Sequence, residues 1–387
     1  MNKPLVPAAI RSMKTTRRTL LRGVAGLALL ASVGGSLAAC SQAPTAAAKI
    51  GTTTSELATL AKTEGTVQLI AVPADWANYG GQFAAFKEKY GVDTPVATPD
   101  ASSADEITAV KNLRGQKTQP DVIDIGYSFT KKAGDEKLIA PYKPSNFDAI
   151  PADLKDPNGM WVGAYYGVVQ VGTNTSVIEA PKTWDDLLDP KYKGKVALPG
   201  DPRKGASSIA AVFAASLAHG GSLDNIQPGI DFFEKLAKSG NLVSITSPVS
   251  ALSTGQAAVV LDWNYNFLGM EEELKKSNIT LETKTFADGV FGNYYAQPVV
   301  ADSPHPNSAR LWVDWLTSDE GSELFARGGG IPARYIELKK AGKLSEEALS
   351  KLPEAEVIEK IKFPTIEQGE TAGKMIVDQW GQKVAAQ

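Results

Sequence analysis

The feature that most constrains the fold is a repeated alternation between short apolar runs and segments whose apolar residues have helical spacing. Residues 66–72 (TVQLIAV) form a continuous run with β-branched side chains, as is typical of a strand buried on both faces of a sheet. The next segment places Phe83, Phe86 and Tyr90 on one helical face, and residues 121–125 (DVIDI) form another apolar run. This pattern predicts an α/β fold with mostly parallel sheets flanked by helices.

The same alternation continues along the chain. Further strands are predicted at 92–97, 166–173, 195–198, 256–262 and 290–300, and further helices at 103–114, 184–189, 206–218, 228–239, 264–275, 306–317 and 319–327. The helix at 103–114 is predicted to begin with a capping box formed by Ser103 and Glu106. Because a single doubly wound domain rarely needs so long a chain, we expect two lobes with a hinge between them.

Residues 1–39 have the composition of an export signal. They contain six basic residues and no acidic one, and the stretch from Gly23 to Ala39 is uncharged and too short for a comfortable membrane span. Arg17 and Arg18, followed by apolar residues, are similar to a twin-arginine signal, with ordinary Sec export as the alternative. Residues 37–40 (LAAC) are similar to a bacterial lipobox, which predicts a signal peptide at 1–39 and lipidation of Cys40.

The lone cysteine of the chain is therefore expected to carry the lipid anchor; the alternative is an ordinary buried cysteine after a chance small-residue tract. Residues 40–64 are predicted to be a tether to the anchored end. The protein is then expected outside the cytoplasm, in the periplasm or at the cell surface, attached to a bacterial membrane.

Composition excludes several classes of function. One cysteine and two histidines leave no CxxC site and little for a zinc or iron site of the usual kind. The 40 basic residues form no basic run in the body, which argues against a nucleic-acid surface. No G-x-S-x-G elbow, phosphate loop or G-x-G-x-x-G motif follows a predicted strand, so we expect no catalytic residues, no cofactor and no metal. A lipid-anchored enzyme outside the cytoplasm is the alternative from another class.

Aromatic and polar side chains follow four of the predicted strands. They are Trp76 and Tyr79, Tyr127 and Ser128, Trp263 to Tyr265, and Tyr294 and Tyr295. Ligands of α/β sheets bind beyond the carboxyl ends of strands, where rings, hydroxyls and amides suit a small polar or cationic molecule. The pattern predicts a binding cleft; the alternative is that these rings form the core between two lobes.

Five stretches resemble the type II solute-binding proteins of bacterial ABC importers. They are residues 76–79 (WANY), 166–174 (YGVVQVGTN), 183–195 (TWDDLLDPKYKGK), 307–325 and 330–333 (GIPA). The third is similar to the family segment TWxDLxxPxYKGK and is the most specific. The resemblance implies a two-lobed receptor that delivers a solute to an ABC permease. The family includes binders of spermidine and putrescine, ferric iron, thiamine and 2-aminoethylphosphonate.

For the polyamine binders, the resemblance implies ligand contacts from Trp76, from Tyr127 and Ser128, from Asp201 and from Trp263. The chain departs from them at Lys204, where they have an acidic residue, and near 292–294, where they have Trp and Asp. The cleft is therefore expected to be less anionic than theirs, with partial compensation from Asp262.

Other ligands remain open at this point. Iron binders use paired tyrosines where this chain has only Tyr265, and Tyr294 and Tyr295 are strand neighbours that face opposite sides. Lys204 near a helix start could instead bind a phosphonate or carboxylate. A polyamine-like organic cation is favoured, and the expected ligand-binding residues are Trp76, Tyr127, Ser128, Asp201, Asp262, Trp263, Tyr265 and Tyr294.

The expected organisation is one lobe from residues 65–170 with 298–335, a second lobe from 171–297, and C-terminal helices from 336–387 packed on the lobes. The expected partners are the small-molecule ligand, the permease subunits and the membrane through Cys40, with a monomeric receptor.

Overall fold

A computed structural model describes residues Lys49–Ala385, so the predicted signal peptide and Cys40 lie outside the described residues. The strands are β1 (Leu69–Ile70), β2 (Val96–Ala97), β3 (Ile125–Gly126), β4 (Ile139–Ala140), β5 (Gly163–Asn174), β6 (Val196–Ala197), β7 (Leu242–Val243), β8 (Val259–Trp263), β9 (Leu281–Lys284), β10 (Gly292–Ala296), β11 (Val299–Val300) and β12 (Ile331–Pro332). The helices are α1 (Thr54–Glu64), α2 (Tyr79–Tyr90), α3 (Ser103–Asn112), α4 (Thr130–Asp135), α5 (Ala206–Ala218), α6 (Gln227–Lys238), α7 (Pro248–Thr254), α8 (Asn264–Lys276), α9 (Pro306–Leu316), α10 (Asp319–Arg327), α11 (Tyr335–Lys340), α12 (Glu346–Lys351), α13 (Ala355–Lys360) and α14 (Ile366–Lys383).

The long strand β5 organises the fold. Its first half pairs with β10 and β12, with Tyr166 opposite Tyr294, and its second half pairs with β8 and β9, with Val169 opposite Trp263. All but one of its side chains are buried, as expected for a strand with β-branched and aromatic residues on both faces. One continuous strand therefore belongs to two halves of the same sheet.

The expected parallel pairing holds for only part of the structure. Strands β1 and β2, and the set β7, β6 and β8, are parallel, whereas every described pairing of β5, β10 and β11 is antiparallel. The physical reason is that the strands paired with β5 run in the opposite direction to it. Parallel pairing would instead need a crossover connection, usually a helix, between the two strands. The α/β class is as predicted, and the sheets are mixed rather than mostly parallel.

The predicted helices are present, with two local differences. Segment 184–189 forms a short 3-10 helix over Asp185–Leu188 rather than an α-helix. Helix α3 is capped by Ser102, one residue earlier than predicted, and its box partner is Asp105. Glu106 is therefore not part of the capping box.

Part of the expected tether belongs to the folded body. Helix α1 packs along α9, and Thr54 Oγ1 donates a hydrogen bond of 2.6 Å to Asp314 Oδ2. The side chain of Asn307 accepts from the N–H of Gly51 at 2.9 Å and donates to the carbonyl of Lys49 at 3.0 Å. These contacts correct the prediction for 40–64, because the chain is docked from Lys49 onward.

The C-terminal helix α14 packs against α6 and against the segment after β3. Trp380 lies 5.5 Å from Phe233 between ring centroids, and Lys383 Nζ pairs with Asp231 at 2.7 Å. At the other end, a Cβ on Gly369 would lie 2.3 Å from the hydroxyl of Tyr127, so only glycine allows this approach. Of the helices in Lys49–Ala385, none has the length and hydropathy to cross a membrane.

Candidate functional site

A cavity of about 400 Å³ lies where several strand ends meet. Its walls come from the loop after β1, the start of α3, the segment 199–208 before and into α5, and the end of β8 with the first turn of α8. This size is within the range of small-molecule sites. Its position beyond the strand ends agrees with the reasoning from sequence.

One wall of the cavity is aromatic. Trp76, in a short 3-10 helix after β1, is half-buried, and its ring centroid lies 5.3 Å from that of Tyr295 and 5.6 Å from that of Tyr265. The indole N–H of Trp76 donates to Tyr165 Oη at 2.7 Å. This bond holds the orientation of the ring, so the face of Trp76 is pre-organised before any ligand arrives.

The carboxyl of Asp124 lines the cavity next to this wall. Its Oδ2 accepts from the hydroxyls of Tyr79 (2.7 Å) and Tyr165 (3.1 Å), and its Oδ1 accepts from Gln297 Nε2 (2.7 Å). Burial raises the pKa of Asp124 to about 7, although these three donors oppose the shift. Trp76, Tyr165 and Asp124 thus form one chain of hydrogen bonds.

Two more buried carboxyls face the cavity. Glu106 on α3 is 1% exposed, and its Oε2 accepts the backbone N–H of Asp124 at 2.8 Å. Asp262 on β8 is 2% exposed, and its Oδ1 accepts from the N–H of Trp263 (2.7 Å) and from Asn266 Nδ2 (3.0 Å). Burial raises the pKa of both groups, that of Asp262 to about 7.

The cavity rim carries charges of both signs. Asp201 is bonded to the guanidinium of Arg203 through both carboxylate oxygens, and this bond lowers the pKa of Asp201. Lys204 is exposed and lines the cavity. Asp201 is thus already neutralised by its neighbour, whereas Lys204 faces the cavity with no ion pair among the described residues.

Of the eight predicted ligand-binding residues, Trp76, Asp201 and Asp262 line the cavity. Trp263 is 1% exposed and lies behind the wall, where its indole N–H donates to Tyr295 Oη at 3.4 Å. Tyr265 is buried between the rings of Trp76, Tyr165 and Trp263. Trp263 and Tyr265 therefore support the wall from behind.

Three predicted residues lie in another part of the molecule. Tyr127 and Ser128 are covered by Gly369 of α14. Tyr294 packs against Trp161 and Tyr127, with centroid distances of 5.6 and 5.5 Å. Its strand neighbour Tyr295 faces the cavity instead, because successive residues of β10 point to opposite sides.

Several cavity residues were not expected from the sequence. They are Glu106, Asp124, Ser102, Ser103, Ser207, Thr246 and Ser247. A usable signal existed for Asp124, which is the second acidic residue of the apolar run 121–125 and stands near its carboxyl end. Within Lys49–Ala385, no group of three or more His, Cys, Asp and Glu side chains has an arrangement that could hold a metal ion.

Comparison with known proteins gives a family and a fold. The sequence profile of the bacterial extracellular solute-binding proteins matches residues 117–360. An uncharacterised protein of Haemophilus influenzae is 28% identical over 264 residues, which is 63% of this chain and 71% of that protein.

Two solved structures resemble the fold closely. The periplasmic binding protein AfuA of Actinobacillus pleuropneumoniae, with fructose-6-phosphate bound, has a TM-score of 0.66 at 19% identity over 83% of this chain and 99% of its own. Iron-bound HitA of Pseudomonas aeruginosa has a TM-score of 0.62 at 20% identity over 81% and 98%. The body of the chain has the two-lobed α/β architecture of these periplasmic binding proteins.

Proposed function

Because the chain belongs to the bacterial extracellular solute-binding proteins, the substrate-binding components of ABC importers, we propose that it captures a small organic cation in the 400 Å³ cavity and delivers it to a permease. Proteins of this family serve transport rather than catalysis, and their partners are a ligand and the membrane subunits of the importer. The ligand class is our inference from the cavity.

The charge of the cavity carries this proposal. Seven carboxyl side chains line it, from Asp75, Asp100, Asp105, Glu106, Asp124, Asp201 and Asp262, against the single ammonium of Lys204. The cavity therefore has more carboxyl groups than the sequence led us to expect, because Glu106 and Asp124 were not counted. A buried carboxylate without a cationic partner costs several kcal/mol, which a bound cation would offset.

The aromatic wall supports the same ligand class. Trp76 and Tyr295 line the cavity on the side of Asp124, so a cation held near that carboxyl also meets ring faces or edges. Ring contact with a desolvated cation stabilises a complex by roughly 0.5–2 kcal/mol. Rings and carboxyls together suit an amine or a polyamine-like ligand.

A ligand with a phosphonate or carboxylate group is the second candidate. Lys204 lines the cavity near Gly205, the residue before α5, and no side chain caps this helix. Unsatisfied N–H groups at a helix start favour anions. The iron alternative has less support, because Tyr265 and Tyr294 lie in separate aromatic clusters.

The proposed hinge follows from β5. We assign residues 65–170 and 298–335 to one lobe and 171–297 to the other, so that the chain crosses between lobes along β5 and near β10. Backbone bending at these strands would close the cavity walls over the ligand. Asp124 and Glu106 would then belong to one lobe and Asp262 to the other, and a cation between them would favour the closed state.

Calorimetry with putrescine and with 2-aminoethylphosphonate tests the ligand class. Trp76→Ala should weaken putrescine binding by roughly 1–3 kcal/mol, through lost ring burial and the cation–π contact. Asp262→Asn should weaken it further, because the bound positive charge loses a partner. Lys204→Ala should leave it unchanged or make it tighter.

An anionic ligand would reverse this order, with Lys204→Ala damaging and Asp262→Asn harmless. Glu88→Gln is a matched control for Asp262→Asn, because Glu88 is exposed on α2 and does not line the cavity. Unchanged affinity in Trp76→Ala would place the ligand elsewhere. Conversion of the bound compound over hours would favour the enzyme alternative, and mass spectrometry of molecules released from the purified protein would identify the natural ligand.

A further inference from the structure

Glu106 is poorly stabilised as an anion. Its carboxyl is 1% exposed, and its one hydrogen-bond donor among the described residues is the backbone N–H of Asp124 at 2.8 Å, which reaches Oε2. Its second oxygen has no partner there, although the side chain lines the cavity. Within the same part of the chain, no Lys or Arg forms an ion pair with it.

The neighbouring carboxyl of Asp124 is held very differently. Tyr79, Tyr165 and Gln297 donate three hydrogen bonds to its two oxygens. Two buried carboxyls this close disfavour the doubly ionised state, and the one with fewer donors retains the proton. The geometry therefore separates their roles: Asp124 is the anion that the protein itself stabilises, and Glu106 is the group that lacks a counter-charge.

Other titratable groups near this pair do not supply that counter-charge. Those lining the cavity from the surrounding elements are Asp75, Asp100, Asp105, Asp201, Lys204, Asp262 and Tyr295, with Tyr79 and Tyr165 behind the wall. Asp201 is bonded to Arg203, and Lys204 is exposed at the rim. Burial and the charge of Asp124 both raise the pKa of Glu106, in agreement with the hydrogen-bond geometry.

We propose that Glu106 holds a proton in the empty receptor and releases it to solvent when an ammonium group binds, so that cation capture is coupled to proton release. The inference rests on the proposed function, because it requires a cationic ligand. The carboxylic acid loses its proton to the buffer and the ligand ammonium takes the place of that proton. For a ligand with one ammonium group, the charge of the occupied cavity is then the same as that of the empty one, and a diamine such as putrescine adds one further positive charge.

The coupling has a direct consequence for affinity. The ligand binds the ionised form of Glu106 and the proton competes with it. Affinity should therefore rise by up to about tenfold per pH unit below the pKa of Glu106, where one proton is released for each cation bound.

The first test needs no ligand. Difference infrared spectra between wild type and Glu106→Gln at pH 7 should contain the carbonyl stretch of a protonated carboxylic acid. Following this band in the wild type at rising pH should show it disappear. Glu88→Gln is the matched control, because Glu88 is exposed on α2 and does not line the cavity. If wild type and Glu106→Gln show no such difference at pH 7, Glu106 is ionised and the proposal is wrong, whatever the ligand is.

The second test counts protons. Putrescine is titrated into the protein in two buffers of different ionisation enthalpy, and the difference in measured heat gives the number of protons released. We expect wild type and Glu88→Gln to release about one proton more per bound putrescine than Glu106→Gln. Equal numbers in all three would overturn the proposal while leaving the receptor function intact. If the infrared test shows a protonated Glu106 but the protein binds neither putrescine nor another amine, then both the coupling of cation binding to proton release and the proposed ligand class are wrong.

Discussion

Replacing Asp262 with asparagine changes the free energy of unfolding of the ligand-free protein, and this change should be more favourable at pH 8 than at pH 4.5. The carboxyl is 2% exposed, accepts two hydrogen bonds at Oδ1 and forms no ion pair with a described residue. An asparagine keeps the accepting oxygen and removes the charge. The substitution therefore isolates the cost of ionising this position.

The magnitude follows from the pKa. Burial raises the pKa of Asp262 from 3.8 to about 7. Between these values the folded state holds a proton that the unfolded state has lost, so the contribution of this group is fully present below pH 3.8 and declines as pH rises to about 7. A shift of this size corresponds to roughly 4 kcal/mol of lost stability above pH 7.

Urea unfolding of the two proteins at a series of pH values measures this difference. The free energy of unfolding of Asp262→Asn minus that of the wild type should increase with pH by several kcal/mol and then level off near pH 8. A pH-independent difference would refute the reasoning, because Asp262 would then be ionised in the folded protein at the same pH as in the unfolded one. Loss of ligand binding in the same variant would show that the charge is retained for function at the expense of stability.

Three further predictions concern other parts of the chain. Gly369→Ala should lower the free energy of unfolding by about 1–3 kcal/mol in urea titrations, because the new Cβ would overlap the hydroxyl of Tyr127. His305→Gln should destabilise the protein at pH 5.5 and much less at pH 9 in thermal unfolding. The hydrogen bond to Asp121 raises the pKa of His305 above 6.5, so its contribution is present below that value and is lost as pH rises. Cys40→Ala should move the protein from the membrane fraction to the soluble fraction without changing its unfolding transition.

Each of these has a control within the chain. Gly373→Ala on the same helix should be neutral or slightly stabilising, because a Cβ there meets nothing within 4 Å. An equal loss in both glycine variants would contradict the proposed overlap. A pH-independent effect of His305→Gln would mean that its ring contributes only packing, and a Cys40→Ala protein that stays with the membrane would contradict lipid anchoring.

The α/β class and the main helices could be predicted because they depend on local patterns. Helices such as α5, α6 and α9 begin and end within a few residues of the predicted bounds, since amphipathic spacing is a property of neighbouring residues. The direction of strand pairing is a property of the whole chain. Local sequence patterns therefore could not predict that β10 and β8 pair antiparallel with β5.

Most differences between the predicted site residues and the residues that line the cavity come from a shift of one residue along a strand or a helix. The pair Tyr294 and Tyr295 was found, but which of them faces the cavity depends on the register of β10 against β5. A one-residue shift of the cap from Ser103 to Ser102 takes Glu106 from the capping box to an inward position. Successive residues of an α-helix are rotated by about 100° about its axis. A shift of one residue therefore changes Glu106 from a capping residue to a buried carboxyl.

Tyr127 lies away from the cavity for another reason. It stands directly after a strand, as a ligand contact should, but Gly369 of α14 covers it. Its hydroxyl is buried and lacks a hydrogen-bond partner in the described part of the chain. The two residues are so far apart in sequence that no local pattern relates them.

The carboxyls that line the cavity also act before a ligand touches the protein. Asp75, Asp100 and Asp105 are exposed, so their field extends into the surrounding water. Low-dielectric walls focus such a field, and like-signed clefts accelerate the arrival of oppositely charged molecules by about 10- to 1,000-fold. The association rate of a cation should therefore fall as ionic strength rises, since the screening distance is about 10 Å at 0.1 M salt. Anions would be turned away by the same field, so part of the discrimination between solutes would occur during diffusion.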